Sequence, residues 1–518
     1  MPAWKWILWA IIALALFGIE HGATRHESSV KIAAGAAWLV VFAVAALPST
    51  VQRWLLKSLR IDHRGVSNGR TPADPLTAVR RAALAAGGVY LGTGSDGAPR
   101  HARSERAVLL LGPPRAGKTS GVIIPALIAH TGPAVCTSTK SDVARATRPA
   151  RSRGGRTWVF DPTGAGGGRG ESEELRWSPV PGSVSWDGAL LMGRAMTSGI
   201  GTGTSDRSHW ATRAQALLAS LLHAAAVHDR EMEAVVDWVM RHEIDEAGVL
   251  LEDERCSRLA FGSLIGLLKT EDRERSSIFS ATADALQAYT SENALAAARA
   301  PNFDPELFVR SADTVYIHAP ADEQAAAAPI VCGLLSEIRR ATYRAHAAGE
   351  LTRGRMLFAL DEVANIAPLQ ELPQIASEGG GQGLLLLAAL QDLSQARARW
   401  GAAADGFLTL FGTKLILPGI ADVRTLEAMS QMLGEYDRQL VARTRPEPSI
   451  ANALAGGRPI PQRTRTYSTQ RTRVLSPGEI ASIPAGRALH LDGVHWELLT
   501  LTPAHAAEPW RTLTTPSA

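Results

Sequence analysis

Residues 107–119, AVLLLGPPRAGKT, decide the fold of this chain of 518 residues. From Gly112 to Thr119 the stretch matches the phosphate-binding pattern G-x-x-x-x-G-K-[ST] in full. The apolar residues 107–111 predict a buried strand before the pattern, and residues 121–130 after it have helical spacing. Glycines let backbone amides turn toward phosphate oxygens, and the amino end of the following helix attracts negative charge.

The pattern therefore predicts a site for ATP with Mg²⁺ as its cofactor. Lys118 is expected to hold the β- and γ-phosphates, and Thr119 to offer its hydroxyl to Mg²⁺. A chance match is the alternative, but the flanking strand and helix disfavour it. The predicted nucleotide-binding residues are Gly112, Pro113, Pro114, Arg115, Ala116, Gly117, Lys118, Thr119 and Ser120.

The second half of such a site is expected at the end of another buried strand, and Met356–Leu360 followed by Asp361 and Glu362 supplies it. Asp361 is expected to bind Mg²⁺ and Glu362 to polarise the attacking water. Taken alone, an acid that caps a helix after a strand explains this pattern equally well. Together with the phosphate-binding pattern, the pair favours a hydrolase over a small-molecule kinase.

A third candidate is Gln391, which follows the apolar residues 384–390. At the end of a strand beside the nucleotide, its amide can sense the γ-phosphate and its loss. The alternative is an ordinary polar residue at the start of a helix.

The order of segments predicts an α/β protein with a parallel sheet, because strand-like runs alternate with helical ones. Strand-like runs are residues 134–137, 157–160, 314–317, 356–360, 384–388 and 414–417. Residues 186–300 have helical spacing without such runs, which indicates an all-helical insertion between the two parts of the nucleotide-binding domain, residues 106–185 and 301–505. Residues 56–105 are interpreted as a linker leading into a first strand, residues 438–473 as a mobile loop or hairpin, and residues 506–518 as a tail.

The amino-terminal residues 1–55 predict a transmembrane hairpin. Two uncharged runs, residues 6–19 and 32–47, are flanked by tryptophan and lysine, which can extend them to the membrane interfaces. A signal peptide is the rival for the first run, but no small-residue cleavage site precedes the second. Positive charge after the second run, at Arg53, Lys57, Arg60 and Arg64, predicts a two-pass protein of the inner or plasma membrane whose ATPase domain is cytoplasmic.

Composition adds little beyond this. A net charge of +4 permits contacts with nucleic acid or anionic lipid without requiring either. Three widely separated cysteines indicate neither a disulfide framework nor a zinc site. Two basic segments can track DNA phosphates independently of sequence, although a solvated face explains them equally well. They are the arginines at 145, 148, 151, 153 and 156, and residues 438–473, which hold eight arginines against one acid.

The ordered combination of motifs resembles the type IV secretion and conjugation coupling proteins of the TraG type, in the TraG/TraD family. The motifs are GPPRAGKT, STKSD, VFDP, RWSP, LFALDE, ALQDLSQ and LSPGEIASIPAG, and the resemblance extends from the hairpin to about residue 500. It implies a RecA-like nucleotide domain with an all-α insertion, assembled as a homo-hexamer around a channel. It also implies passage of DNA, with an attached relaxase or protein substrate, toward the type IV secretion channel.

Carried over by position, the family's functional residues are Lys118, Thr119, the acid pair Asp361 and Glu362, and the sensor Gln391. One departure concerns an arginine that relatives carry after the acid pair and that reaches the neighbouring subunit's site. The corresponding residues 377–383, SEGGGQG, contain no basic residue. Arg397, Arg399 or Arg424 can supply that charge instead, or hydrolysis is slow.

Two other functions remain open. The chain can be a docking receptor whose helical segment recruits protein substrates while ATP drives assembly only. It can also be an FtsK-like DNA translocase, although the short hairpin and the helical insertion disfavour this.

Overall fold

The computed structural model describes residues 74–163, 173–198, 205–444 and 464–515. The predicted transmembrane hairpin, residues 1–55, and the first part of the linker lie outside the described residues. Within the described ranges, no helix is both long enough and apolar enough to cross a bilayer.

The strands in the described ranges are numbered in chain order. They are β1 (Tyr90–Thr93), β2 (Pro99–His101), β3 (Val108–Leu111), β4 (Ala134–Ser138), β5 (Thr157–Phe160), β6 (Glu173–Glu174), β7 (Thr314–His318), β8 (Met356–Leu360), β9 (Leu384–Leu390), β10 (Thr413–Ile416), β11 (Glu435–Thr444), β12 (Thr464–Arg473), β13 (Arg487–Asp492) and β14 (His495–Thr500).

The α-helices are numbered in the same way. They are α1 (Pro75–Ala86), α2 (Ile124–Ala129), α3 (Asp142–Arg151), α4 (Trp186–Met196), α5 (Ser205–Val227), α6 (Met232–Arg241), α7 (Asp245–Leu251), α8 (Arg258–Leu268), α9 (Asp272–Ala285), α10 (Glu292–Ala298), α11 (Pro305–Val309), α12 (Gln324–Ala347), α13 (Val363–Ile366), α14 (Leu372–Glu378), α15 (Leu393–Trp400), α16 (Phe407–Leu410), α17 (Val423–Leu433), α18 (Pro477–Ala481) and α19 (Trp510–Thr514).

Twelve strands form one sheet in the order β2-β1-β14-β13-β10-β3-β9-β8-β4-β7-β5-β6. From β10 to β6 every neighbouring pair is parallel, whereas β13, β14, β1 and β2 pair antiparallel at one side. Parallel strands place their carboxyl ends at one edge of a sheet. The loops after β3, β9, β8 and β4 therefore meet at that edge, which we call the carboxyl edge.

The core lies on both faces of the sheet. Strand β3 is buried along its whole length, and its side chains alternate between the two faces. Leu109 and Leu111 pack into one apolar cluster, whereas Val108 and Leu110 pack into the other with Leu127 of α2. A strand covered on both faces is apolar at every position, which is why the run before the phosphate-binding pattern contains no polar residue.

The predicted alternation of strands and helices is confirmed in the described ranges. The bounds of β5 and β8 are those expected from the sequence, and β4, β7, β9 and β10 differ from expectation by one or two residues. Between β6 and β7 the described residues form helices and no strand, from Trp186 to Val309. The division of the chain into separate domains stays a prediction.

Three segments are more ordered than the sequence indicated. The described part of the linker holds helix α1 as well as β1 and β2, and Asp74 caps this helix by accepting a hydrogen bond from the Thr77 amide. Its alanines and arginines give only a weak apolar stripe, so the helix was not expected. In the tail, α19 forms because Trp510 is buried. The described parts of the arginine-rich segment, for which a mobile loop or a hairpin was expected, belong to the antiparallel strands β11 and β12, in which Arg438 pairs with Gln470. This agrees with the hairpin alternative.

Candidate nucleotide-binding site

The phosphate-binding loop leaves β3 at Gly112, whose amide donates a hydrogen bond to the Leu390 carbonyl of β9 over 3.1 Å. A side chain at Gly112 would come within 2.9 Å of Leu417, so the glycine permits this close approach. Gly117 has a φ of +94°, which favours glycine, and the loop ends in a π-helical turn, Thr119–Ile123, that continues into α2. The two glycines thus permit a loop that starts close to β9 and turns directly into α2 at the carboxyl edge.

Lys118 is only 6% exposed and is held at the base of this loop. Its Nζ donates to the Gly112 carbonyl over 2.7 Å and lies 3.8 Å from Oε1 of Glu362. The ammonium group therefore lies between the loop and the acid pair, where it can bind phosphate oxygens.

Thr119 and Asp361, 242 positions apart, are joined by a hydrogen bond of 2.8 Å from Oγ1 to Oδ2. Thr137 of β4 donates to the Asp361 backbone carbonyl, also over 2.8 Å, and fixes the end of β8. Burial raises the pKa of Asp361, and the hydrogen bond from Thr119 opposes that rise. A carboxylate and a hydroxyl in contact form the hard oxygen donor set that Mg²⁺ prefers when phosphates supply further ligands. These residues fit the ion.

Glu362 has an unusual backbone and an unused oxygen. Its φ is +49°, in the left-handed region that costs energy for a residue with a side chain. Its Oε2 is buried and has no hydrogen-bond partner among the described residues. A buried carboxylate oxygen without a donor is suited to accept a proton from a water molecule, since ordinary structural carboxylates find partners.

These groups share one cavity of about 450 Å³ at the carboxyl edge. Its lining includes seven of the nine predicted nucleotide-binding residues, namely Pro113, Pro114, Arg115, Gly117, Lys118, Thr119 and Ser120, together with Asp361 and Glu362. Gly112 and Ala116 are not part of the lining. The structure adds Ile124, Ser138, Thr139, Lys140 and Asp142, to which sequence reasoning gave no role. For the last four of these, the signal was present in the motif STKSD, residues 138–142, which begins at the end of β4.

Gln391 does not line this cavity. It follows β9, which lies between β3 and β8, so it is next to the start of the phosphate-binding loop. Its backbone N–H donates to the Oε1 atom of Gln395 over 3.0 Å. A sensing role stays a prediction.

The candidates for a replacement arginine differ in their surroundings. Arg397 forms an ion pair of 3.6 Å with Asp422, and Arg399 donates to the Ala364 carbonyl over 3.0 Å. Arg424 is exposed and has no ion pair within the described part of the chain.

The sequence profile described as "Type IV secretory system Conjugative DNA transfer" matches residues 58–492. The chain belongs to this family. The predicted resemblance to conjugation coupling proteins is thereby confirmed for most of the chain. No curated protein sequence matches the chain significantly.

Solved structures of the bacterial conjugative coupling protein TrwB have a similar fold. The unbound form without its first 70 residues has a TM-score of 0.59 at 18% identity, covering 82% of this chain and 91% of TrwB. The complex of TrwB with ADP and Mg²⁺ has a TM-score of 0.59 at 18% identity, covering 81% and 90%. The complex with a non-hydrolysable ATP analogue has a TM-score of 0.58 at 18% identity, covering 82% and 95%. The chain therefore has an α/β fold with a large, mostly parallel sheet that resembles the fold of TrwB.

Proposed function

We propose that this protein is the ATPase of a conjugative transfer system, anchored in the inner or plasma membrane by residues 1–55, with its nucleotide site in the cytoplasm. The observation that carries the proposal is the hydrogen bond between Thr119 and Asp361, because it joins the phosphate-binding loop to the acid pair in one cavity. TrwB, which has a similar fold, binds ADP with Mg²⁺ and an ATP analogue.

The residues divide the chemistry among them. The loop amides and Lys118 bind the phosphates of ATP. Thr119 and Asp361 would hold Mg²⁺, which would supply positive charge to balance the phosphates. Glu362 accepts a proton from water as the water oxygen bonds to the γ-phosphorus. The bond from the γ-phosphorus to the bridging oxygen breaks, and its electron pair leaves with ADP.

The transported material and the assembly follow from the family rather than from the cavity. We infer a homo-hexamer that accepts DNA without regard to sequence, recruits a relaxase or secreted protein, and delivers them to type IV secretion channel components. The helices between Trp186 and Val309 carry none of the cavity residues, and they are our candidate for substrate selection.

The test is ATP turnover by the full chain in lipid nanodiscs, with and without DNA, beside transfer frequency in cells. We expect hydrolysis that DNA stimulates, and Lys118→Ala should abolish both hydrolysis and transfer while the protein still inserts in membranes. Wild-type transfer by Lys118→Ala would rule out an ATP-driven motor. If DNA does not change the rate of ATP hydrolysis and the protein assembles only in the presence of ATP, the docking receptor would be favoured.

The membrane anchor has its own test. We expect a chain lacking residues 1–55 to remain in the supernatant after alkaline carbonate washing, whereas the full chain pellets with membranes. Pelleting of the shortened chain would contradict the hairpin.

A further inference from the structure

The wall of the cavity opposite the phosphate-binding loop is formed by the residues after β4. Strand β4 pairs in parallel with β8, and Thr137 lies opposite Leu360 in their register. Lys140 is three residues after Thr137, and Asp361 directly follows Leu360. The two chain segments therefore leave the sheet side by side, which places Lys140 among the cavity residues next to the acid pair.

Lys140 is held at its backbone and free at its side chain. Its amide donates to the Ser138 hydroxyl over 3.2 Å, which fixes the turn between β4 and α3. Its side chain is exposed and forms neither an ion pair nor a hydrogen bond within the described part of the chain. Lys118, in contrast, is buried and already engaged with the Gly112 carbonyl and Glu362.

The position of Lys140 matches the place where charge develops during hydrolysis. The phosphate-binding loop encloses a nucleotide from one side, and the metal-binding aspartate marks the β- and γ-phosphates. A cation beyond Asp361, on the side away from the loop, would therefore lie near the terminal phosphate of a bound nucleotide. Phosphoryl transfer spreads negative charge over the terminal oxygens and needs positive groups in addition to the loop lysine.

Other sources of that charge are restricted in this chain. Residues 377–383 contain no basic residue, and Arg397 and Arg399 are bound to Asp422 and the Ala364 carbonyl. Arg424 is exposed, but it is not part of the cavity lining. The remaining cation of the cavity lining is Arg115, which belongs to the phosphate-binding loop and lies on the opposite wall.

We propose that Lys140 Nζ donates a hydrogen bond to an oxygen of the terminal phosphate of bound ATP and stabilises the charge that develops there. The contact comes from the same subunit as the phosphate-binding loop. This inference rests on the proposed ATP-binding function of the cavity. It predicts that Lys140 contributes to ATP affinity and to turnover but not to ADP affinity, since ADP lacks the phosphate it contacts.

The test compares affinities of the full chain for Mg²⁺-ADP and for a non-hydrolysable ATP analogue with Mg²⁺. For Lys140→Met we expect a roughly ten- to hundredfold loss of affinity for the ATP analogue, as for loss of a charged hydrogen bond, with ADP affinity unchanged within about threefold. Lys140→Arg should restore most of the affinity for the ATP analogue, because it keeps the charge. The matched control is Lys269→Met, at an exposed lysine that is not part of the cavity lining, and it should change neither affinity.

Each other outcome has a distinct meaning. Equal losses for both nucleotides in Lys140→Met, or no loss, would overturn the proposal. So would an ATP-specific loss in Arg115→Met but not in Lys140→Met, because it would assign the contact to the loop arginine. A wild-type chain that binds neither nucleotide would instead refute the proposed function itself.

Discussion

The carboxyl and amino edges of the parallel sheet differ in whether their buried charged groups have hydrogen-bond partners. At the carboxyl edge, Lys118, Asp361 and Glu362 line a cavity in which one Glu362 oxygen is buried and has no donor among the described residues. At the amino edge, where β4 and β7 begin, the side chain of Arg151 is 1% exposed and surrounded by acceptors. It donates to the Thr314 hydroxyl over 2.6 Å and to the Gly132 carbonyl over 2.7 Å, and it also bonds the carbonyls of His130, Ala312 and Asp313.

This difference indicates that the amino edge contributes to stability and the carboxyl edge to catalysis. Arg151 uses its donors on fixed backbone carbonyls, so it ties together the strand beginnings and the loop before them. Glu362 keeps an oxygen unused and a strained backbone, which lowers stability but leaves capacity for a ligand. We therefore expect substitutions at the carboxyl edge to change turnover and substitutions at the amino edge to change the free energy of unfolding.

The largest effect is expected for Glu362→Gln. The amide cannot accept a proton from water, so kcat for ATP should fall roughly 100- to 10,000-fold while nucleotide affinity stays close to wild type. Steady-state turnover and nucleotide titration measure the two quantities. If the variant loses nucleotide binding as well as turnover, Glu362 has a structural role. That result would contradict the assignment of catalysis to the carboxyl edge.

Arg151→Met should have the largest effect on stability. It leaves several buried acceptors without donors, which is expected to lower the free energy of unfolding by about 3–5 kcal/mol. Urea unfolding of the full chain measures this. The matched control is Arg153→Met, whose exposed ion pair with Asp74 should contribute at most about 1 kcal/mol.

Turnover per folded molecule decides whether the edges are independent. We expect kcat of Arg151→Met to remain within about twofold of wild type, because its contacts lie at the opposite end of the strands. A tenfold loss of kcat in the folded variant would show that the amino edge also shapes the cavity.

The amino edge should also respond to pH through His130. Burial, and then the charge of Arg151, lowers the pKa of His130 to about 3, from the usual value near 6.5. Since the folded pKa is below the unfolded one, the stability present above pH 6.5 is lost as pH falls from 6.5 toward 3. The slope is up to about 1.4 kcal/mol per pH unit.

His130→Gln should remove that component, so its unfolding free energy should fall less steeply than that of wild type between pH 6.5 and 4.5. His209→Gln, at a histidine with an exposed side chain, is the matched control and should follow wild type. Parallel curves for wild type and His130→Gln would show that the buried ring does not set acid sensitivity.

The smallest effect is expected outside the cavity, at Ser476. Its hydroxyl accepts a hydrogen bond from the Glu479 amide, and the Glu479 carboxylate accepts one from the Ser476 amide over 2.7 Å. Loss of this capping box in Ser476→Ala should lower stability by about 1 kcal/mol, and Ser476→Thr should restore it. The Ala481 carbonyl of α18 accepts a hydrogen bond from the Gly419 amide, and Gly419 lies next to Pro113 of the phosphate-binding loop. A change in kcat of Ser476→Ala would therefore show that α18 also supports the cavity.

The sequence alone determined the local elements. The phosphate-binding loop is recognisable because its glycines, Lys118 and Thr119 lie within eight consecutive positions whose backbone they shape directly. The bounds of β8 followed from a short apolar run, because a strand buried on both faces is mostly apolar. The bounds of β5 followed from a short run of β-branched and aromatic residues. The acid pair was identifiable because it ends such a run.

Only the tertiary structure decided which strand ends meet. The contact of Thr119 with Asp361, and the placement of Lys140 beside the acid pair, depend on β3, β9, β8 and β4 being neighbours in the sheet. The order of strands is set by packing between distant segments, which local periodicity does not record.

The arginines before β5 show the same limit. Charge alone placed Arg151 with its neighbours on a solvated face or a DNA-contacting one, and both interpretations are wrong for this residue because it is buried. Arg145, Arg153 and Arg156 of the same run are exposed. A sequence shows that an arginine is present, but whether its donors meet water, phosphate or backbone carbonyls depends on which chain segments the fold brings around it.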